Sequence, residues 1–179
     1  LAGHHIDIAL PRSERKSGPG HRDFEIEIDP FIGIKEAARR RDFTMNALLK
    51  DILSGEIADP YGGTEDIKNR IIRHIDDKKF GEDPLRVLRA AQFRSRFGFQ
   101  VAPSTISICS ALDLRNLSAE RVEMEMKKAL LESRRPSEFF ECLREMAQLG
   151  YWFQELEQLI GLEQNPKFHP EGDVWTHTM

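Results

Sequence analysis

The sequence GEDPLRVLRAAQFRSRFGF, residues 81–99, decides the architecture of this chain. It predicts a helix with one buried face, because its apolar residues recur at helical spacing. The residues of that face are Leu85, Leu88 and Phe93. At the start of the helix, Asp83 is a good N-cap and Pro84 suits the first position, where its missing N–H costs nothing. Capping does not explain Arg86 and Arg89, which lie at helical spacing from Asp83 and share another face of the helix with it.

Composition restricts the class of protein. The 179 residues are 40% hydrophobic and 31% charged, which is typical of a globular chain and excludes a disordered or fibrous one. No apolar run approaches the ~18 residues of a membrane helix, so we expect no membrane partner. Cys109 and Cys142 are isolated in the sequence, which favours a reducing cytoplasm.

Basic residues are unevenly placed in a chain whose net charge is −4. They form two clusters, namely Lys35, Arg39, Arg40 and Arg41, and Arg86, Arg89, Arg94 and Arg96. Clusters of this kind are either solvated helix faces or a local anion site, and charge alone does not decide between them.

Local patterns predict a mixed region followed by a helical array. Strands are predicted at residues 6–10 and 24–28, with a polar loop over residues 13–23 between them. Residues 35–52 read as a helix with an interruption near Phe43. The further predicted helices are at about 83–97, 103–112, 118–132, 136–149 and 151–160.

Several stretches resemble, in their order along the chain, the class II tRNA nucleotidyltransferase and bacterial poly(A) polymerase family. They are RRDFTMNAL (40–48), similar to the ribose-reading motif; DPYGGTEDI (59–67), similar to the head-to-neck connector; EDPLRVLRAAQF (82–93), similar to the nucleotide-reading helix; and LSAERVEMEMKKAL (117–130), similar to the neck helix that supports it. RSERKSG (12–18) resembles the mobile loop of bacterial CCA-adding enzymes, and FHPEGDVWTHTM (168–179) the start of an HD phosphohydrolase domain.

The resemblance implies an α+β fold, in which the rear part of a polymerase-beta-like nucleotidyltransferase head is followed by a mainly α-helical neck and body. The expected divisions are the head at 1–78, the neck at 79–134, body helices at 135–160 and the start of a truncated HD domain at 161–179. Because both ends of the chain lie within predicted elements, we expect an internal fragment of a longer protein.

The base-reading residues can be argued from chemistry. Cytosine and adenine each present an amino donor beside a ring-nitrogen acceptor. A carboxylate accepts from the amino group and a guanidinium donates to the ring nitrogen. Asp83 and Arg86 lie one helical turn apart, so they could present this pair to one base edge. The alternative is that Asp83 is only a cap and Arg86 only its ion-pair partner.

Further nucleotide contacts are expected on neighbouring positions. Arg41 could grip phosphate or sugar oxygens, and Asp42 could orient Arg41 and accept from a ribose hydroxyl; the alternative is a surface ion-pair network. The resemblance implies a triphosphate contact for Arg89. The resemblance also implies another arginine where this chain has Gln92, which puts one phosphate contact in doubt. Arg94 could compensate for the missing charge, but it lies at a different helical angle.

Metal ligands are the main departure from the family. Nucleotidyl transfer needs divalent metal held by carboxylates, and the resemblance implies Mg²⁺ bound through an Asp-x-Asp pair that is missing from this chain. No catalytic residue is therefore assigned, and we expect the fragment itself to be inactive. Asp7 could be an acid beside the metal site or a solvated acid at a strand edge. His177 matches the first histidine of an HD metal site whose other ligands would follow Met179.

The expected function is that of a fragment of a CCA-adding enzyme, which transfers CMP and AMP from CTP and ATP to the 3′ end of tRNA. Poly(A) polymerase and the specialised CC-adding or A-adding enzymes are the nearest alternatives. Alternatives from other classes are a non-catalytic RNA- or nucleotide-binding module and an HD phosphohydrolase.

Overall fold

A computed structural model describes residues 12–16, 24–29 and 31–179. The predicted strand at 24–28 is confirmed as β2, which pairs antiparallel with β1 from Arg12↔Ile28 to Lys16↔Phe24. β1 occupies residues that the sequence analysis assigned partly to a loop, and that prediction was wrong because the polar segment pairs with β2. The predicted strand at residues 6–10, with Asp7, lies outside the described residues.

Short strands and a helical array make up the described residues, in agreement with the predicted α+β class. The strands are β1 (Arg12–Lys16), β2 (Phe24–Ile28), β3 (Leu49–Lys50), β4 (Ile57–Ala58), β5 (Ile71–Ile72) and β6 (Gln100–Val101). The helices are α1 (Ile34–Arg39), α2 (Gly63–Lys68), α3 (Asp77–Gly81), α4 (Leu85–Phe97), α5 (Pro103–Ser110), α6 (Ala119–Glu132), α7 (Ser137–Glu145), α8 (Gln154–Glu157) and α9 (Val174–Thr178). None of these helices is long and apolar enough to cross a bilayer.

The segment after α1 departs from the helix predicted over residues 35–52. α1 ends at Arg39, and Phe43 takes an extended conformation with φ −124° and ψ 152°. Phe43 is fully buried, and its ring meets those of Phe80 and Phe93 edge-on with centroids 5.7 Å apart in both pairs. The predicted interruption near Phe43 is confirmed, but the helix expected on both sides of it ends at Arg39 and does not resume, because this packing outweighs the local helix propensity.

Two adjacent glycines fix the turn that leads into α2. Gly62 has φ 75°, a left-handed conformation that glycine adopts without steric cost. A Cβ on Gly63 would lie 2.2 Å from the carbonyl oxygen of Thr44, so only glycine allows this approach. Asp59 closes the turn by accepting from the N–H groups of Gly63 at 2.7 Å and Thr64 at 2.9 Å. The turn therefore fastens α2 against the segment after Phe43.

α4 is the central helix and packs against α6 and α7. Its predicted apolar face is confirmed, since Leu85, Leu88 and Phe93 are at most 9% exposed. Gly98 ends the helix with φ 64°. The predicted helices near 103–112 and 118–132 are confirmed as α5 and α6. The opposite, polar side of α4 contacts residues 40–42 and α6.

The helices after α6 are shorter than predicted. α7 ends before residue 149 because Ala147 turns the chain with φ 55°, a left-handed conformation. The following Gln148 is buried, and its amide donates to the carbonyl oxygen of Cys109 at 2.7 Å. The predicted helix at 151–160 contains only the four residues of α8.

Candidate functional site

One open cleft of about 500 Å³ lies on the polar side of α4. It brings together the five residues that the sequence analysis assigned to nucleotide contacts, from two separate segments of the chain. Its lining residues are Arg41, Asp42, Asn46, Asp83, Leu85, Arg86, Arg89, Phe93 and Arg121. The lining comes from the segment after α1, from α4 with Asp83 before it, and from Arg121 of α6.

Asp83 caps α4 and also binds an arginine. Its Oδ1 accepts from the N–H of Leu85 at 3.2 Å. Pro84 occupies the N-cap position of α4, one residue later than predicted, but its helical φ of −59° and ψ of −18° let the Asp83 side chain cap the first turn. The same carboxylate accepts from Nη2 of Arg121 at 2.8 Å through Oδ2 and at 3.1 Å through Oδ1. Arg121, and not Arg86, is thus the ion-pair partner that the structure describes for Asp83. The alternative that paired Asp83 with Arg86 was wrong on this point.

Arg86 is held by backbone carbonyls. Its Nη1 donates to the carbonyl of Lys79 at 2.5 Å and its Nη2 to that of Arg40 at 2.7 Å, while the guanidinium lies over the ring of Phe80. Burial lowers the pKa of Arg86 from its ordinary value, but a guanidinium remains charged at any physiological pH. The two carbonyl bonds use two of its five N–H donors and fix its position one turn from Asp83.

Asp42 is buried at the base of the cleft. Its Oδ1 accepts from the N–H of Phe43 and from the amide of Asn46, both at 2.9 Å. Its Oδ2 accepts from Nε of Arg89 at 2.6 Å. The expected pairing of Asp42 with its neighbour Arg41 is therefore wrong, because the carboxylate turns inward to α4.

Arg41 and Arg89 differ in how firmly they are fixed. Arg41 is exposed and donates through Nη1 to the carbonyl of Asn46 at 2.9 Å. Arg89 is held by Asp42, lies over the ring of Phe93 at 5.2 Å, and comes within 3.8 Å of Glu125 on α6. Arg89 is consequently the preorganised cation of the cleft, whereas Arg41 can follow a ligand.

Comparisons with known proteins agree with this architecture. The Poly A polymerase head domain family matches residues 2–73. A Multifunctional CCA protein of Stenotrophomonas maltophilia is 46% identical over 178 residues, covering 96% of this chain and 43% of the relative. The chain is thus similar to proteins of the class II tRNA nucleotidyltransferase and bacterial poly(A) polymerase family. A Multifunctional CCA protein of Nitrosococcus oceani is 42% identical over 177 residues, again with 43% of its length covered. The chain thus spans less than half the length of these curated relatives.

Solved structures of nucleotidyltransferases share its fold. The CCA-adding enzyme of Bacillus stearothermophilus in complex with CTP aligns with a TM-score of 0.68 and 36% identity, covering 75% of this chain and 35% of that one. A tRNA nucleotidyltransferase complexed with a primer tRNA and an incoming ATP analogue aligns with a TM-score of 0.64 and 31% identity, covering 80% and 42%. These likenesses establish the head and neck fold of the family for this chain.

Gln92, where an arginine was expected from the resemblance, and Arg94, considered as its replacement, both lie outside the cleft lining. Gln92 is 1% exposed, and with its amide oriented to satisfy its neighbours the oxygen accepts from Arg96 Nη1 at 3.0 Å. Arg94 pairs with Glu138 at 3.0 Å and with Glu145, both on α7. In this chain position 92 faces the packed interior, and Arg94 serves the α4–α7 contact.

The charges of the cleft suit an anion more than a metal ion. Its lining contains four arginines and two aspartates, an excess of two positive charges. Nucleotidyltransferases of this family use a divalent metal. The cleft carboxylates do not fit such an ion, because Asp42 is held by Arg89 and Asp83 by Arg121. No step of metal chemistry is assigned to these residues.

Two lining residues were missed or underrated by the sequence analysis. Arg121 lies on α6 and was not assigned to the site from the sequence. Asn46 lies within the stretch RRDFTMNAL but was not assigned either, and its amide donates to Asp42. No sequence signal could have paired Arg121 with Asp83, because the two residues lie on different helices.

His177, the expected metal ligand, lies far along the chain on α9. It contacts Glu171, and His169 is 3.5 Å from the same carboxylate oxygen. His74 is buried and bridges Thr105 and Asp77 at 2.8 Å each.

Proposed function

We propose that the cleft binds CTP and ATP, and that the chain belongs to an enzyme that adds CMP and AMP to the 3′ end of tRNA. The observation that carries the proposal is the cleft itself, in which Asp83 and Arg86 lie one turn apart and Arg89 is fixed beside them. The names of the relatives, and the CTP and tRNA complexes of the structural neighbours, support this assignment over poly(A) addition.

The base edge is read by Asp83 and Arg86. Arg121 pairs with the Asp83 carboxylate, whose oxygens accept hydrogen bonds. Arg86 is fixed by two carbonyls and donates to the ring nitrogen beside the amino group. Cytosine and adenine satisfy both residues, whereas uracil and guanine place a carbonyl oxygen against the carboxylate and are rejected.

The sugar and the phosphates are placed beside Asp42, Arg41 and Arg89. Asp42 Oδ2 accepts from Arg89 and retains a lone pair for a ribose hydroxyl. Arg41 and Arg89 supply charge-assisted donors to the triphosphate, with Arg89 already in place and Arg41 closing on the ligand.

The remaining assignments follow from the same interpretation. The transfer step takes Mg²⁺ through ligands that are not among the described residues, and the tRNA 3′ end is the acceptor. The head extends to residue 78, the neck covers 79–134, the body helices 135–160, and an HD domain begins at 161. A cytoplasmic location is supported by Cys109 and Cys142, which are both buried free thiols.

Equilibrium binding of the four nucleoside triphosphates to the purified chain tests the proposal. We expect CTP and ATP to bind more tightly than UTP and GTP, and Arg89→Ala to weaken CTP binding by about tenfold or more, since a charge-assisted bond contributes about 1.5–3 kcal/mol. Arg115→Ala is the matched control, because Arg115 is an exposed arginine paired with Asp113 outside the cleft.

Three outcomes would contradict the proposal. Equal affinity for all four nucleotides would exclude base reading by the cleft. Binding of ATP without CTP would favour a poly(A) polymerase. An equal loss of affinity in Arg89→Ala and Arg115→Ala would mean that charge alone, without the cleft, accounts for binding.

A further inference from the structure

A row of aromatic rings continues along α4 beyond the nucleotide cleft. It begins at Phe93, which lines the cleft and lies under the guanidinium of Arg89 at 5.2 Å. The ring of Phe93 stacks on that of Phe97 with centroids 5.7 Å apart and an interplanar angle of 11°. The ring of Phe97 in turn meets that of Phe99 at 5.8 Å. The row therefore leads from the cleft to the C-terminal end of α4.

The outer end of this row is exposed to solvent. Phe93 is only 9% exposed, whereas Phe97 is 43% exposed and Phe99 is half-buried. Exposed apolar surface that continues from a binding cleft is typical of an interaction site. One turn of a helix rises about 5.4 Å, so Phe97 is within reach of a strand of nucleotides that ends in the cleft.

Arg96 places a fixed cation at Phe97. Its guanidinium carbon is 5.4 Å from the centroid of the Phe97 ring. Its Nη2 is 2.8 Å from a carboxylate oxygen of Glu132, and its Nη1 is 3.0 Å from the Gln92 oxygen in the amide orientation described above. Glu132 offsets part of the charge, but the side chain of Arg96 is 30% exposed and keeps N–H donors for a ligand.

Arg70 adds a second cation from the turn before β5. Its guanidinium carbon is 5.7 Å from the centroid of the Phe99 ring. Its Nη2 donates to the carbonyl oxygens of Phe97 at 3.3 Å and of Gly98 at 3.4 Å. Both bonds are longer than usual and both acceptors are uncharged. These contacts therefore leave the positive charge of Arg70 available to an anion.

We propose that this end of α4 binds unpaired nucleotides of an RNA strand whose 3′ end lies in the cleft. The stacking surface, as we call it, consists of Arg70, Arg96, Phe97 and Phe99. Proteins bind single strands by stacking bases on aromatic rings and by pairing phosphates with cations. A duplex keeps its base faces inside the helix and cannot use such rings. The inference rests on the proposed function, because the strand is the acceptor end of tRNA, and it adds the residues that hold this strand.

Fluorescence anisotropy with a short labelled single-stranded RNA ending in CC tests the inference on the purified chain. Saturating CTP without added divalent metal occupies the cleft, so RNA binding then reports the stacking surface. We expect Phe97→Leu to weaken RNA binding by about fivefold or more, the effect of losing one stacked base. Leucine retains apolar contact with Phe93, so the melting temperature and the affinity for CTP are expected to stay unchanged.

Phe168→Leu is the matched control for the aromatic substitution. Phe168 is 69% exposed and has the ammonium of Lys167 5.7 Å from its ring centroid, but it lies outside the stacking surface. We expect this variant to bind the RNA as tightly as the wild type does.

Arg70→Gly tests the phosphate contact by a different measurement. Arg70 has φ 58°, a left-handed conformation that glycine adopts without steric cost, so the variant is expected to fold. The plot of log affinity for RNA against log salt concentration is expected to become shallower by about 0.7, as for the loss of one phosphate contact to a single strand. Arg115→Ala, which removes an exposed arginine paired with Asp113, is expected to leave this slope unchanged.

Several results would overturn the inference. They are absence of RNA binding by the wild type, displacement of the RNA by CTP, and tighter binding of the same RNA as a duplex. Unchanged RNA affinity in Phe97→Leu, or an equal loss in Phe168→Leu, would also contradict it, and an unchanged salt slope in Arg70→Gly would exclude Arg70. Failure of the proposed function is distinguishable, because the wild type would then bind all four nucleotides equally.

Discussion

Asp83→Asn separates base reading from helix capping. The substitution retains an oxygen that can accept from the N–H of Leu85, and it replaces the other oxygen by an amide N–H₂. A cap is therefore preserved, while the group that meets the base edge changes from an acceptor to a donor. We expect the affinity for UTP to rise relative to the affinity for CTP, because the new N–H₂ group can donate to the carbonyl of uracil.

The structure sets the expected magnitudes. Asp83→Ala removes the cap, which contributes about 1 kcal/mol to the free energy of unfolding. It also removes the half-buried ion pair with Arg121, which contributes about 0.2–1 kcal/mol. Asp83→Asn loses only the second contribution. By comparison, a bidentate base contact discriminates by roughly 1–3 kcal/mol, which corresponds to a change of roughly 5- to 150-fold in the CTP-to-UTP affinity ratio.

The assay measures dissociation constants for CTP and UTP together with melting temperatures. Asp113→Asn is the matched control, since Asp113 also accepts from a backbone N–H two residues ahead and pairs with an arginine, Arg115, outside the cleft. An Asp83→Asn protein that melts earlier but keeps the wild-type preference for CTP would refute the reasoning and leave Asp83 as a cap only.

Three further predictions concern other carboxylates and the thiols. Asp42→Ala is expected to reduce the preference for CTP over dCTP, because the proposed acceptor of the ribose hydroxyl is lost; an unchanged ratio of dissociation constants in a stable variant would contradict it. The pKa of Asp173 is lowered to about 2 by its hydrogen bonds to Thr176 and Gly161. Because the folded pKa lies below the ordinary 3.8, the ionised carboxylate stabilises the fold above about pH 4, and this stabilisation is lost as the pH falls through about 2. The difference in melting temperature between wild type and Asp173→Asn is therefore expected to disappear over that pH interval. A difference that stays constant with pH would argue against this prediction. Burial raises the pKa of Cys109 to about 12, so a thiol reagent at pH 8 is expected to label this residue only after unfolding, and labelling of the native protein would show that the site opens.

The sequence predicted which residues line the cleft better than it predicted their hydrogen-bond and ion-pair partners. Helical periodicity places Asp83, Arg86 and Arg89 on one face of α4, and that inference requires only local geometry. The partners of these residues come from elsewhere in the fold, as with Arg121 for Asp83 and Asp42 for Arg89. The spacing of residues along one helix does not show which residues of other elements pack against it.

The errors in secondary structure have a similar origin. Residues 35–52 have good local helix propensity, yet Phe43 is drawn into the core and the helix stops. Near the other end, Ala147 takes a left-handed conformation that alanine rarely adopts, and the burial of Gln148 accompanies this turn. In both places long-range packing determines the backbone, and neighbouring residues do not reveal it.

The bonds from α4 to residues 40–42 have a consequence for selectivity. Arg86 donates to the carbonyl of Arg40 and Arg89 to the carboxylate of Asp42, so the proposed base and sugar contacts depend on the same short segment. In the proposed site, a sugar that displaced Asp42 would also displace the backbone carbonyl that holds Arg86. We therefore expect the affinity penalties for a wrong sugar and for a wrong base to be non-additive.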